Sequence, residues 1–118
     1  MPLEIEVEKL SHLHVMSLRG RLDSAGAPAL ESSMKTVVET GDNRVIVDCA
    51  ELRYVSSVGL GVFVASAKTL TAAGGGLYFA GLTQHVRSVF EMVGFFGLFE
   101  IYPTLQEALD SPQLRRSE

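Results

Sequence analysis

The chain has 118 residues, of which 10 are Lys or Arg and 14 are Asp or Glu, giving a formal net charge of −4, and 47% are hydrophobic. That length implies one domain able to bury its own core, and the acidic balance excludes a protein whose main work is gripping nucleic acid, which needs a concentrated basic face. A lone cysteine, Cys49, permits no internal disulfide, no apolar run reaches the roughly 20 residues of a bilayer span, and the opening MPLEIEVEKL is acidic and alternating where a secretory signal is basic and then apolar.

Leu3, Ile5 and Val7 alternate with Glu4, Glu6 and Glu8, the period of a half-buried strand with an acidic outer face. Residues 13–18 (LHVMSL) are expected to form a second strand, joined to the first by a turn around residues 9–12 and ended by Gly20. Asp23 and Ser24 are cap-type residues before a helix, and Pro28 suits its first turn, where a missing N–H costs no bond. Leu30, Met34, Val37 and Val38 form one apolar stripe on that helix, and Gly41 ends it. Residues 45–47 are a β-branched run suited to a strand buried on both faces, with Asp48 at its end. After a short passage, Leu60, Phe63, Val64 and Ala67 mark a second helix, closed by Gly74, Gly75 and Gly76. Residues 77–80 are a strand. A third helix begins near Thr83 or Gln84, carries Val86, Val89, Phe90 and Val93, and stops at Gly94. Residues 99–102 form a last strand. Thr104 and Glu107 have capping-box spacing before a short helix with Leu105, Ala108 and Leu109. The polar residues 111–118 are expected to fray.

The order β-β-α-β-α-β-α-β-α predicts a single α/β domain over residues 1–118, with its core within about residues 3–110. Its sheet is mixed and mainly parallel, packed with helices through right-handed crossovers, with an antiparallel first hairpin.

One segment does not read as architecture alone: Tyr54, Val55, Ser56, Ser57, Val58, Gly59, Leu60 and Gly61. It lies where a strand C-terminus meets a helix N-terminus, the side on which open α/β sheets place their sites. Ser56 or Ser57 supplies the N-cap oxygen, and Gly59 and Gly61 permit close approach. A phosphate on one of these serines adds about −1.5 to −2 charges beside unpaired N–H groups, which the host tolerates. A docked partner has to desolvate that group and does not. The same serines also serve as plain helix caps.

Other candidates are weaker. The V-S-S-V-G run lacks the first glycine of a G-x-S-x-G nucleophile elbow. Gly74, Gly75 and Gly76 precede a strand and no G-K-[ST] follows, so they are not a phosphate loop. His12, His14 and His85 have no acidic or cysteine partner at ligand spacing. Asp23 and Asp48 more simply tie up loop N–H groups. Residues 93–99 (VGFFGLF) are expected to plug the core, with any exposed members forming a patch. No catalytic set is filled, so no enzyme activity, metal or cofactor is expected.

Residues 45–70 (VIVDCAELRYVSSVGLGVFVASAKTL) resemble the STAS domain of bacterial anti-sigma-factor antagonists. Gly20, Arg21, Leu22 and Asp23 are similar to the family's G-[ED]-L-D element, and residues 94–102 with 104–109 resemble its last loop, strand and helix. The family's D-S-S-G-L-G run maps with its first serine onto Ser57, which puts Ser56 at the aspartate position and Val58 at the second serine. The resemblance implies a cytoplasmic, non-enzymatic module that binds an anti-sigma factor serine kinase. Phosphorylation of Ser57 dissociates the pair, and a serine phosphatase restores it. Ser56, Val58, Gly59 and Leu60 are then expected to border the docking surface, and Asp23 to shape the adjacent loop. Neither direct nucleic-acid contact nor membrane insertion is implied, and a homodimer is left open. The family also implies an alternative, an unphosphorylated scaffold module of a sensory assembly or of a membrane transport system.

Overall fold

A computed structural model describes residues 2–112 and 114. Alternating apolar residues at the N-terminus build β1 (Glu4–Leu10), which turns back into β2 (Leu13–Leu22). There follow α1 (Ala27–Glu39), β3 (Arg44–Val55), α2 (Ser57–Ala72), β4 (Gly76–Ala80), α3 (Gln84–Met92), a 3-10 turn at Phe95–Gly97, β5 (Glu100–Tyr102) and α4 (Leu105–Asp110). The strands lie in sequence order, β1-β2-β3-β4-β5, with β1 antiparallel to β2 and every other pair parallel. This is the predicted α/β architecture.

The two sheet faces carry separate apolar clusters. On one, Met16, Leu18 and Leu22 of β2 and Val45 and Val47 of β3 pack with Leu30 and Met34 of α1, Phe63 and Leu70 of α2, and Val86 and Phe90 of α3. On the other, Leu13, Val15, Ile46 and Ala80 pack with Ala108 of α4 and with Leu114. Val45, Ile46 and Val47 are wholly buried, as a strand covered on both faces requires. Around Phe79 the core is aromatic. Phe63, Phe90 and Phe99 meet it edge-on at centroid distances of 4.9, 5.1 and 5.1 Å, and Phe95 extends the cluster through Phe90 and Phe99. Edge-to-face packing of this kind adds to the area buried.

Several expectations need correction. Gly20 does not end β2; at φ +94° it sits inside the strand, next to a register shift against β3. Asp48 does not end β3, which runs on to Val55 because the Arg19–Leu22 end of β2 continues to pair with it. Neither Asp23 nor Ser24 is the cap of α1: that position is Gly26, whose N–H donates to the Asp23 carboxylate at 3.2 Å. Val7 and Val93 are more exposed than their periodicity suggested, and so is Leu98 of the 93–99 segment, whereas Phe95 is buried. Ser111 and Leu114, placed in a fraying tail, are buried against the α4 side of the sheet; residues 113 and 115–118 lie outside the described residues. His12 and His14 stand at the β1–β2 turn, and His85 at the opposite end of the sheet, at the start of α3.

Phe79→Ala removes the ring that three other rings contact and is expected to destabilise the fold by about 3–5 kcal/mol, measured by urea denaturation. Cys49 is fully buried, and desolvation, aided by the Asp48 charge, pushes its thiol far above the usual range. It should resist thiol-specific reagents in the native state and react at the rate of unfolding.

Candidate functional site

The site begins with the hydrogen bonding of a strand end. Leu22 pairs with Val55 in the last rung of β2–β3, and the Leu22 carbonyl then accepts the N–H of Ser56 at 2.9 Å. Ser56 is therefore held extended, at φ −97° and ψ 171°, as the N-cap of α2. Its hydroxyl accepts the N–H of Gly59 at 3.3 Å, and its carbonyl accepts the N–H of Leu60 at 3.0 Å. Of the two serines left open by the sequence, Ser56 is the cap.

Ser57 becomes the first residue of the helix and is exposed. Val58 follows with 49% of its surface exposed, on the rim of a cleft of about 290 Å3 that it shares with Ser24, Ala27, Pro28 and Glu31 at the start of α1. No acidic residue lies in the first turn of α2. The turn thus joins an accessible hydroxyl and an apolar side chain to the positive end of a 16-residue helix.

Gly59 and Leu60 were expected to border the docking surface; both are buried. A Cβ at Gly59 would meet Leu22 Cγ at 2.5 Å, so this position is glycine because the helix seats directly on Leu22. Both residues belong to the packing of the helix start and not to its exposed side. Asp23 stands beside the site, its carboxylate on the Gly26 N–H and its carbonyl accepting from Gly26 and Ala27 at 3.1 and 3.0 Å, which fixes the β2–α1 loop.

The structure adds a cluster that sequence reasoning did not assemble. The Arg21 guanidinium lies 4.0 Å from the centroid of the Tyr54 ring, and Tyr54 stacks on His85 at 5.4 Å with an interplanar angle of 16°. These residues come from β2, β3 and α3, and no spacing in the chain announces that they meet.

The sequence profile of the STAS domain family matches residues 4–108. The chain belongs to the STAS domain family. It is 35% identical over 99 residues to BtrV of Bordetella bronchiseptica, a protein named as an anti-sigma factor antagonist, across 84% of this chain and 85% of that one. A crystal structure of an anti-sigma factor antagonist from Mycobacterium paratuberculosis superposes with a TM-score of 0.85 at 27% identity, covering 97% of this chain and 95% of that one. The anti-sigma factor antagonist SpoIIAA in its unphosphorylated form superposes with a TM-score of 0.81 at 24% identity, covering 95% and 96%. That protein has also been solved in its phosphorylated form. The STAS fold thus accounts for the sheet order and for all four helices.

The division of work between the two serines is testable by melting. Ser56→Ala removes the oxygen that caps Gly59 and should cost about 1 kcal/mol of stability. Ser57→Ala removes an exposed hydroxyl and should leave stability within about 0.5 kcal/mol of wild type.

Proposed function

We propose that this STAS protein is an anti-sigma factor antagonist that docks an anti-sigma factor on the surface around the start of α2 and is switched off by phosphorylation of Ser57. The observation that carries this reading is the separation of roles at the helix start. Ser56 does the structural work, so the exposed Ser57 hydroxyl can be modified without loss of the cap. The curated relatives, named as anti-sigma factor antagonists, support the same reading.

The mechanism follows from electrostatics and desolvation. In the unmodified chain a partner covers a helix start that is neutral, with Val58 exposed and Asp23 holding the adjoining loop. A phosphate on Ser57 brings about −1.5 to −2 charges to the helix end, where free N–H groups stabilise an anion. The fold keeps its stability. Docking, by contrast, must now strip water from a doubly charged group, and each 1.4 kcal/mol of that cost lowers affinity tenfold. The switch needs an anti-sigma factor that is also a serine kinase, and a serine phosphatase to reset it, all in the cytoplasm. The STAS chain itself acts by binding and carries out no chemistry.

With its kinase and ATP, the protein should gain one phosphate, located on Ser57 by mass spectrometry, present in Ser56→Ala and absent from Ser57→Ala. Modification that survives Ser57→Ala overturns the assignment. Ser57→Asp should bind the kinase at least about tenfold more weakly than wild type by titration calorimetry, and equal binding overturns the charge mechanism.

A further inference from the structure

Two arginines on β2 are equally exposed and differently employed. Arg19 is surrounded by Glu51 at 3.2 Å, Glu6 at 3.6 Å and Glu4 at 3.8 Å, so its charge is spent within the sheet. Arg21 has one carboxylate within 4.0 Å among the described residues, Asp23, reached from Nε at 3.8 Å. Its side chain is 47% exposed.

Arg21 is also held in place. Its guanidinium lies over Tyr54, whose ring is in turn stacked on His85, so the fork has an aromatic platform two rings deep. A guanidinium fixed in plane by stacking loses less rotamer freedom on capturing a carboxylate than a free one, and its remaining N–H groups match that anion in two-point geometry. Beside it lies a cleft of about 420 Å3, with Arg21 and Asp23 on its wall and apolar lining from Pro2, Leu3, Ala25 and Ala29. The overall charge of the chain is −4, so this pre-set cation opposes the sign of the molecule around it.

We propose that the Arg21 platform selects the partner: it receives a carboxylate from an acidic segment of the anti-sigma factor, whose neighbouring apolar residue sits in the cleft beside Leu3 and Ala29. Three features fit this occupant together: an exposed guanidinium held on an aromatic platform with one carboxylate neighbour, the apolar cleft at its side, and a backbone connection to the start of α2. That connection is direct, since Arg21 pairs with Tyr54 one rung before Leu22 pairs with Val55 and the Ser56 N–H meets the Leu22 carbonyl. The inference rests on the docking surface proposed above and adds the sign and chemistry of what docks. Charge complementarity of this kind governs which partner is accepted and how fast it arrives.

The test uses the full-length protein and a panel of purified anti-sigma factor serine kinases from the source genome, with affinities measured by calorimetry at two salt concentrations. Wild type should bind one member. Arg21→Gln should bind that member about tenfold more weakly, with a flatter salt dependence, and Arg21→Glu about a hundredfold more weakly. Arg21→Lys, which keeps the charge without the planar fork, should fall between wild type and Arg21→Gln. Reversing one acidic residue of the bound kinase to Lys should restore affinity for Arg21→Glu, which a purely structural role for Arg21 does not predict; circular dichroism verifies folding of each variant. Equal binding by wild type and Arg21→Glu, or equal losses in all three variants without rescue, overturns this proposal and leaves the docking surface standing. A wild-type chain that binds no member overturns the functional reading and this one with it.

Discussion

Leu22 is the joint on which the site depends. Its carbonyl takes the Ser56 N–H at 2.9 Å, and its wholly buried side chain fills the space where any Cβ at position 59 would fall. The end of β2 and the start of α2 are therefore closed on each other twice, once by a backbone bond and once by packing. Both contacts act on the same turn, so they set its rotation as well as its position. With that rotation fixed, the Ser56 hydroxyl turns inward to the Gly59 N–H and the next residue must face outward. The exposure of Ser57 follows from the seating of the helix.

The same joint explains why β3 outgrows its neighbours. β4 pairs with β3 only from Arg44 to Asp48, and Gly81, at φ +69°, then turns the chain away. Beyond that point β3 keeps β2 on one side, through two register shifts that place extra residues on β3 and increase the local twist. On its other side α3 takes the place of a strand. The Thr83 hydroxyl donates to the Leu52 carbonyl at 2.8 Å, satisfying a group that a longer β4 would otherwise have paired. Because α3 closes that edge, His85 at its first turn comes to lie on Tyr54. The aromatic platform under Arg21 is thus a by-product of how an unpaired strand edge is covered.

This geometry marks what the sequence could and could not disclose. The alternation of β1, the stripes of α1 and α3 and the glycines at 41, 74 and 94 are local signals, and each landed on the element it indicated. The 51–55 stretch, E-L-R-Y-V, reads as a passage between elements because its polar residues interrupt the apolar run. It is a strand because Arg19 faces Glu51, Arg21 faces Tyr54 and Leu22 faces Val55, pairings that exist only once β2 lies alongside. Gly20 misled for a related reason: a positive-φ glycine punctuates a chain read alone, yet within a paired strand it accommodates a bulge. For the site, the segment and its two serines were legible, and the division between them was not. Two adjacent serines both suit a helix N-terminus, and which one caps depends on where the strand before it stops. The burial of Gly59 was hidden in the same way, since it depends on Leu22, which lies 37 positions away in the chain.

The net charge can now be weighed against the proposed switch. A phosphate takes the molecule from −4 to about −6, a modest change for the whole. At physiological salt, charges more than about 8 Å apart are largely screened, so general repulsion between an acidic antagonist and its partner is a poor discriminator. The local change is of another order. The first turn of α2 offers no acidic side chain and an exposed Val58, so covering it in the unmodified state strips water from mostly neutral groups. After phosphorylation the same cover must dehydrate a dianion already well served by helix N–H groups and solvent. The penalty arises within a few ångströms, is little affected by salt, and is independent of the sign of the partner. Recognition through Arg21 has the opposite properties, being sign-dependent and sensitive to salt. In this scheme the surface separates the two decisions physically: charge complementarity at the end of β2 chooses the partner, and desolvation at the start of α2 decides whether that partner stays.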